Sequence, residues 1–258
     1  MSKTIRISID AILISLLIVN TVATKNLRIS ENRIIAVADH VVSFDLPMQI
    51  LNMTKFHLPN NPIIIDAGAF DGKESIELAK FWPHGKIHSF EPIPQVYQTL
   101  LTATQEQKNI KTYPIALSDK SGKAQMHVSE WPDKPGVCSA SSSLLAPKDH
   151  LKYSHIPFPK TITVPTITLD EWAEKNGVDH VDFLWLDMQG YELNMMKASP
   201  KILKTVKAIV TEIEFVEAYT GQYLYWDIKK WLEQEGFEMI AINTSPLWFG
   251  DALFVRKH

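Results

Sequence analysis

From Asn61 onward, short runs of β-branched and aliphatic residues alternate with longer stretches whose apolar positions recur every three or four residues. That alternation is the pattern of parallel strands joined by covering helices. It predicts strands at Pro62–Asp66, Lys86–Phe90, Ile110–Leu117, Val181–Asp187 and Ala208–Glu214. The intervening helices are predicted at Lys73–Phe81, Pro94–Gln107, Leu169–Asn176, Tyr191–Lys197 and Trp226–Glu235. Two last apolar runs, Phe237–Ile242 and Ala252–Arg256, are joined by a segment too short for a crossover helix, so they predict an antiparallel hairpin. The expected fold is a single α/β domain around a mostly parallel seven-stranded sheet that closes with that hairpin.

Between Ser118 and Pro165 the alternation breaks. Two β-like runs, KAQMHVS and TITVPTITL, flank a stretch rich in Ser, Pro and His, and together they predict an antiparallel excursion carrying a long loop. Irregular loops of this length inside compact domains often carry function. Cys138–Leu145 and His155–Pro159 are therefore candidates to line an acceptor site, against the alternative of a plain surface loop.

Composition narrows the classes. The chain has 258 residues, 45% hydrophobic and 21% charged, as a globular domain has. A net charge of -3, with Lys and Arg scattered among the acids, gives no electrostatic footprint for nucleic acid. The single cysteine, Cys138, allows no internal disulfide and argues against a thiolate metal site.

Residues 1–30 form a separate hydrophobic segment ahead of a domain spanning 31–258. Lys3 and Arg6 precede the apolar Ala11–Val19, and a polar stretch with the small residue Ala23 follows. That is the order of a secretory signal. Asp10 counts against it, and the run is short for a membrane span. A signal or membrane anchor stands beside the alternative of a helix or strand packed on the domain.

The stretch Ile63–Ser75, IIIDAGAFDGKES, carries the first chemical signal. Gly68 and Gly72, with Phe70 between them, free the backbone for a tight turn at the end of the first strand. A doubly wound sheet binds its ligand there, beyond the carboxyl ends of the strands. A dinucleotide loop would run from the strand straight into G-x-G-x-x-G, and an acid in the turn would oppose a pyrophosphate. Asp66 instead suits a ligand with a cationic amine. Glu91, at the end of the next strand, stands where an acid can take both hydroxyls of a ribose. Ser118 or Asp119, in IALSD, would reach an adenine edge. These residues point to S-adenosylmethionine.

These motifs, with ITLDEWAEKNGVDHVDFLWLDMQGYELNMMKAS and IVTEIEFVEAYTGQYLYWDIKKWLEQEGF, resemble those of the FkbM-like S-adenosylmethionine-dependent methyltransferases over about Pro62 to Phe237. The resemblance implies a Rossmann-like class I methyltransferase fold. It also implies methyl transfer to an oxygen of a sugar or other secondary metabolite. Many members read K-x-D-x-E-G where this chain has Trp185, Asp187 and Gln189, so roles of that lysine and that second acid do not carry over.

A sugar hydroxyl needs a base to act as nucleophile at neutral pH. Asp187 and Glu212, late in the fourth and fifth strands, are the candidates for general base or acceptor positioning; the alternatives are a helix cap for Asp187 and a structural pair for Glu212. Two acids make a thin case for magnesium, and no metal is expected. His88 reads as packed, His127, His150 and His155 as acceptor-side, and the GQYLYW stretch Gly221–Trp226 as an apolar wall for the acceptor. The expected partner is a small-molecule or glycan acceptor. The expected location is the cytoplasm, where the donor is made, with membrane anchoring left to the N-terminal segment. A dinucleotide or nucleotide-sugar enzyme and a non-catalytic binding module are the rival readings.

Overall fold

The structure is a computed structural model that describes residues 27–30, 33–36, 42–43, 47–244 and 248–257. The apolar run Ala11–Val19 lies outside the described residues, and among those described no helix is long and apolar enough to cross a membrane. Leu27–Ser30, at the end of the predicted N-terminal segment, pairs antiparallel with Arg33–Ala36.

The main sheet is built from β1 (Ile63–Ala67), β2 (Lys86–Phe90), β3 (Ile110–Tyr113), β4 (Phe183–Leu186), β5 (Ala208–Glu214), β6 (Phe237–Asn243) and β7 (Phe249–Arg256). Their order is β3-β2-β1-β4-β5-β7-β6. Pairing is parallel from β3 through β5, and β7 runs antiparallel to both of its neighbours, as the predicted hairpin requires. The two-residue strand Val42–Ser43 extends the sheet beyond β6, an eighth strand too short to leave a period in the sequence.

Helices α1 (Lys73–Phe81), α2 (Pro94–Thr104), α3 (Leu169–Asn176), α4 (Glu192–Lys197) and α5 (Tyr225–Gln234) cover the sheet. Successive residues of β1 serve opposite layers. Ile64 packs with Leu78, Trp82 and Phe183, while Ile65 packs with Trp172, Leu184 and Leu186. Burial on both faces is why the strands read as continuous aliphatic runs rather than alternating ones.

One predicted strand divides. Ile110–Tyr113 stays in the main sheet, whereas Ala116–Leu117 leaves it to pair in parallel with Lys160–Ile167. Pro114 lies between the halves and has no N–H for a ladder, so the sheet ends there. Lys160–Ile167 also pairs antiparallel with Gly122–Val128, giving the expected excursion. Met126, Val128 and Val164 of this small sheet pack onto Ile93 and Val96 at the start of α2. That packing holds the excursion over the carboxyl ends of β1 and β2.

Where local chemistry is strong, the boundaries follow it. Thr168 caps α3 by accepting the Glu171 N–H at 3.2 Å, and Gly177 ends the helix in the left-handed region at φ 64°. Thr168→Ala is expected to lower the unfolding free energy by about 1 kcal/mol in urea titrations; an unchanged midpoint would remove the cap's role.

Candidate functional site

The sheet reverses its winding between β1 and β4, which opens a crevice between the loops that follow them. Gly68 and Ala69 both aim their N–H groups at the Phe90 carbonyl, at 3.1 and 3.0 Å, so the first turn is tied to the end of β2. Gly68 has φ 86°, and a Cβ there would lie 1.8 Å from the Asp187 carbonyl oxygen. Only glycine lets the two loops come this close. Phe70 is held at φ 42°, in a region L-residues seldom occupy.

Beside these loops lies a cleft whose empty space, open solvent included, is about 570 Å³. Phe70, Phe90, Ile93, Leu117, Met126 and Leu144 make its walls apolar, and Glu91, Asp187, Gln189 and Tyr191 supply polar groups. From the Ser-rich loop, Ser139, Ala140, Ser142 and Leu144 face the cleft, as expected of Cys138–Leu145. That loop is fastened by the Ser143 hydroxyl, which donates to the Gln189 carbonyl at 2.8 Å, and by the backbone pair of His127 and Ser143.

The predicted donor residues take up different stations. Glu91 lines the cleft, with one carboxyl oxygen accepting the Ile93 N–H at 2.7 Å, and burial pushes its pKa up to about 8. Asp66 is buried but does not line the cleft. It accepts from the Ser75 hydroxyl at 2.5 Å, that hydroxyl lies 2.8 Å from Ser89, and burial lifts the acid to about 7. The sequence reading aimed Asp66 at an amine; the strand's alternation turns it onto α1, where it ties β1, β2 and the helix together. Ser118 is likewise buried and donates to Asp119 at 3.2 Å. Asp119 in turn accepts from Tyr191, whose ring reaches the cleft, so both stand one residue behind its wall.

Asp187 opens into the cleft, with its N–H bonded to the Ala67 carbonyl at 3.0 Å. Asp187 is solvent-exposed within the cleft, and desolvation by the protein packed around it raises its carboxyl to about 6. Glu212 is buried behind it, and desolvation followed by the Asp187 charge holds it well above the usual carboxylate range. Gln189 joins the two, its Nε2 donating at 2.7 Å to Asp187 and at 2.7 Å to Glu212. Glu192, Glu214 and Asp251 complete an acidic nest, each raised chiefly by burial. Among the described residues no lysine or arginine forms an ion pair with any of the five. Nor, among those residues, are three or more His, Cys, Asp or Glu side chains arranged to hold a metal ion.

Other expectations fall away from the cleft. The GQYLYW stretch does not form its wall: Tyr225 is buried against Phe215, and Trp226 is exposed on the surface of α5. His88 is packed, bonded to the Tyr113 hydroxyl at 2.9 Å and set against Trp172. His150 is buried among Phe158, Tyr219 and Trp248, and burial lowers its pKa to about 4. Neither it nor His155 lines the cleft. Sequence reasoning missed Tyr219, Tyr191 and Met126, because each belongs to a segment distant in the chain. Gln189 was visible only as a departure from the K-x-D-x-E-G pattern.

A family model described as the methyltransferase FkbM domain matches residues 66–239. The 2-O-methyltransferase NoeI of Sinorhizobium fredii (strain NBRC 101917 / NGR234) is 28% identical over 163 residues, which are 63% of this chain and 67% of that protein. Methyltransferase sdnD of Sordaria araneosa is 25% identical over 209 residues, 71% of this chain and 76% of its own. Among solved structures, methyltransferase FkbM from Methylobacillus flagellatus KT superposes with a TM-score of 0.51 at 13% identity. That alignment covers 82% of this chain and 48% of the other, so the chain spans about half the length of that structure and shares its fold.

Proposed function

Because the chain belongs to the FkbM methyltransferase family and is an S-adenosylmethionine-dependent methyltransferase, we propose that its cleft methylates a hydroxyl oxygen of a sugar or similar secondary metabolite. The observation that carries this reading is the Asp187 carboxylate, which enters the cleft where the Gly68 turn abuts its own backbone. The residues present fit the donor. Apolar walls suit an adenine ring, the Glu91 carboxyl suits a pair of vicinal hydroxyls, and the glycine turn leaves backbone open beside them.

When bound, S-adenosylmethionine supplies a methyl group on a positively charged sulfur. The protein's share is alignment, dryness and one proton. Asp187 is placed to take the proton of the acceptor hydroxyl, whose oxygen would receive the methyl group while the donor's carbon–sulfur bond broke and its electron pair stayed on sulfur as a neutral thioether. Glu212, whose carboxyl is held well above the usual carboxylate range by burial and by the Asp187 charge, lends a hydrogen bond that favours ionised Asp187. Leu144, Met126 and Phe70 exclude water from the reacting atoms. The 2-O-methyltransferase NoeI supports the choice of oxygen.

The test has two arms. S-adenosylhomocysteine at a hundred times its dissociation constant is expected to stabilise the protein by about 2.7 kcal/mol, and NAD to leave it unchanged. Radiolabelled methyl transfer from the donor to a panel of methyl hexosides and methyl deoxyhexosides is expected to label at least one sugar. Stabilisation with no labelled sugar, and label appearing only on a phenol panel, would rule out the sugar acceptor.

A further inference from the structure

Gln189 is the one cleft residue that touches both candidate acids, and its own backbone sits in the left-handed region at φ 54°. A non-glycine residue held there is being kept in place by its surroundings. Its two amide hydrogens go to Asp187 and Glu212, each at 2.7 Å, and its Oε1 accepts the Tyr219 hydroxyl at 2.7 Å. Tyr219 is 1% exposed and lies 2.9 Å from the Ser141 carbonyl of the Ser-rich loop. The Gln189 carbonyl meanwhile accepts from Ser143 of the same loop. We infer that Gln189 is a positioning residue for methyl transfer: its amide fixes the Asp187 and Glu212 carboxyl groups in one pose, Tyr219 locks that amide, and the Ser-rich loop is registered to both.

Charge gives this bond pattern its purpose. Asp187 faces Glu74 of α1, Glu192 of α4, Glu212 and Glu214 of β5 and Asp251 of β7, together with Asp66, Glu91 and Tyr219, and among the described residues no lysine or arginine forms an ion pair with them. An anion in that field is stabilised by neutral donors alone, and the Gln189 amide is the donor shared by both carboxyl groups. Reversing the amide would set its oxygen against the Asp187 carboxylate, an acceptor with no hydrogen to give. The observed orientation is therefore the one that an ionised Asp187 selects. A glutamate at position 189 would supply no donor and would add another negative charge.

The inference rests on Asp187 being the proton acceptor, and the test separates the two. Protein carrying ¹³C in its Asp and Glu carboxyl groups is titrated by NMR, with the Asp187 signal identified by its loss in Asp187→Asn. Gln189→Met keeps the side-chain length and the backbone demand but removes the donors. It is expected to raise the Asp187 midpoint by about one pH unit while S-adenosylhomocysteine still binds. Gln189→Glu is expected to raise it further. The methyl-transfer rate at pH 6 on whichever methyl hexoside is labelled should fall about fivefold in step. A midpoint that stays put in Gln189→Met overturns the inference; should that variant not fold, Tyr219→Phe takes its place with the same two outcomes. A fully active Asp187→Asn overturns the base reading and the inference with it. An inactive Asp187→Asn beside an unmoved midpoint overturns the inference alone.

Discussion

Gly68→Ala is expected to lower the unfolding free energy by more than about 4 kcal/mol, a loss that needs a specific mechanism, and to abolish stabilisation by S-adenosylhomocysteine. Two costs combine. The residue sits at φ 86°, where a Cβ is disfavoured by roughly 1–2 kcal/mol. The added carbon would also lie 1.8 Å from the backbone oxygen of Asp187, and a backbone oxygen cannot rotate away as a side chain can. Relief requires the loops after β1 and β4 to part, and those loops frame the cleft. Gly72→Ala is the internal comparison. It has nearly the same φ, 85°, but its Cβ would meet the ends of the Leu100 and Thr104 side chains at 3.0 and 3.2 Å rather than backbone. Its cost should stay near the roughly 1–2 kcal/mol of the backbone strain. Equal urea midpoints for the two variants would show that the close approach to Asp187 contributes nothing.

Asp187→Asn is expected to slow methyl transfer by about 10²- to 10⁴-fold, the usual worth of a positioned base, while S-adenosylhomocysteine affinity changes little. In the unsubstituted enzyme the rate should climb with pH through about 6. The sign follows from the chemistry: the base works when deprotonated, so below that midpoint the rate falls about tenfold per pH unit. Stability should move the other way. The folded protein holds the Asp187 proton to a higher pH than the unfolded chain does, so ionisation costs folding stability as pH rises from about 4 through about 6. An uncharged amide escapes that cost, and at pH 8 the Asn variant should be at least as stable as the parent. A variant that loses activity and stability together would mark Asp187 as structural. A variant that keeps full activity would move the proton transfer elsewhere.

Different parts of this fold and site were legible at different levels. The parallel core could be read from the chain because its central strands, β1, β4 and β5, bury both faces, and burial on both faces demands aliphatic runs that composition reveals locally. The terminal hairpin was legible because the segment joining its strands is too short for a helix. The split after Tyr113 was harder to see: Pro114 was in plain view, but only a partner strand near Lys160 shows where Ala116 and Leu117 go. In the site, the places of Gly68, Phe70 and Glu91 on the cleft lining were legible because a turn and a strand end are local features. Asp66 was found as well, yet its direction depends on Ser75 and Ser89, which come from two other elements.

By itself the sequence determined the strand order's raw material, the glycine turn, the acids at the strand ends and the family. All of these are fixed by residues adjacent along the chain. Only the tertiary structure decided which acid faces the cleft and which stands behind it. It also decided that a glutamine, set between two carboxylates and a tyrosine 30 residues away, would join them. The physical reason is desolvation and distance. Whether a carboxyl group is ionised, and whether an amide can reach two of them at once, depends on packing among β4, β5 and the Ser-rich loop, and no single stretch of sequence contains that packing.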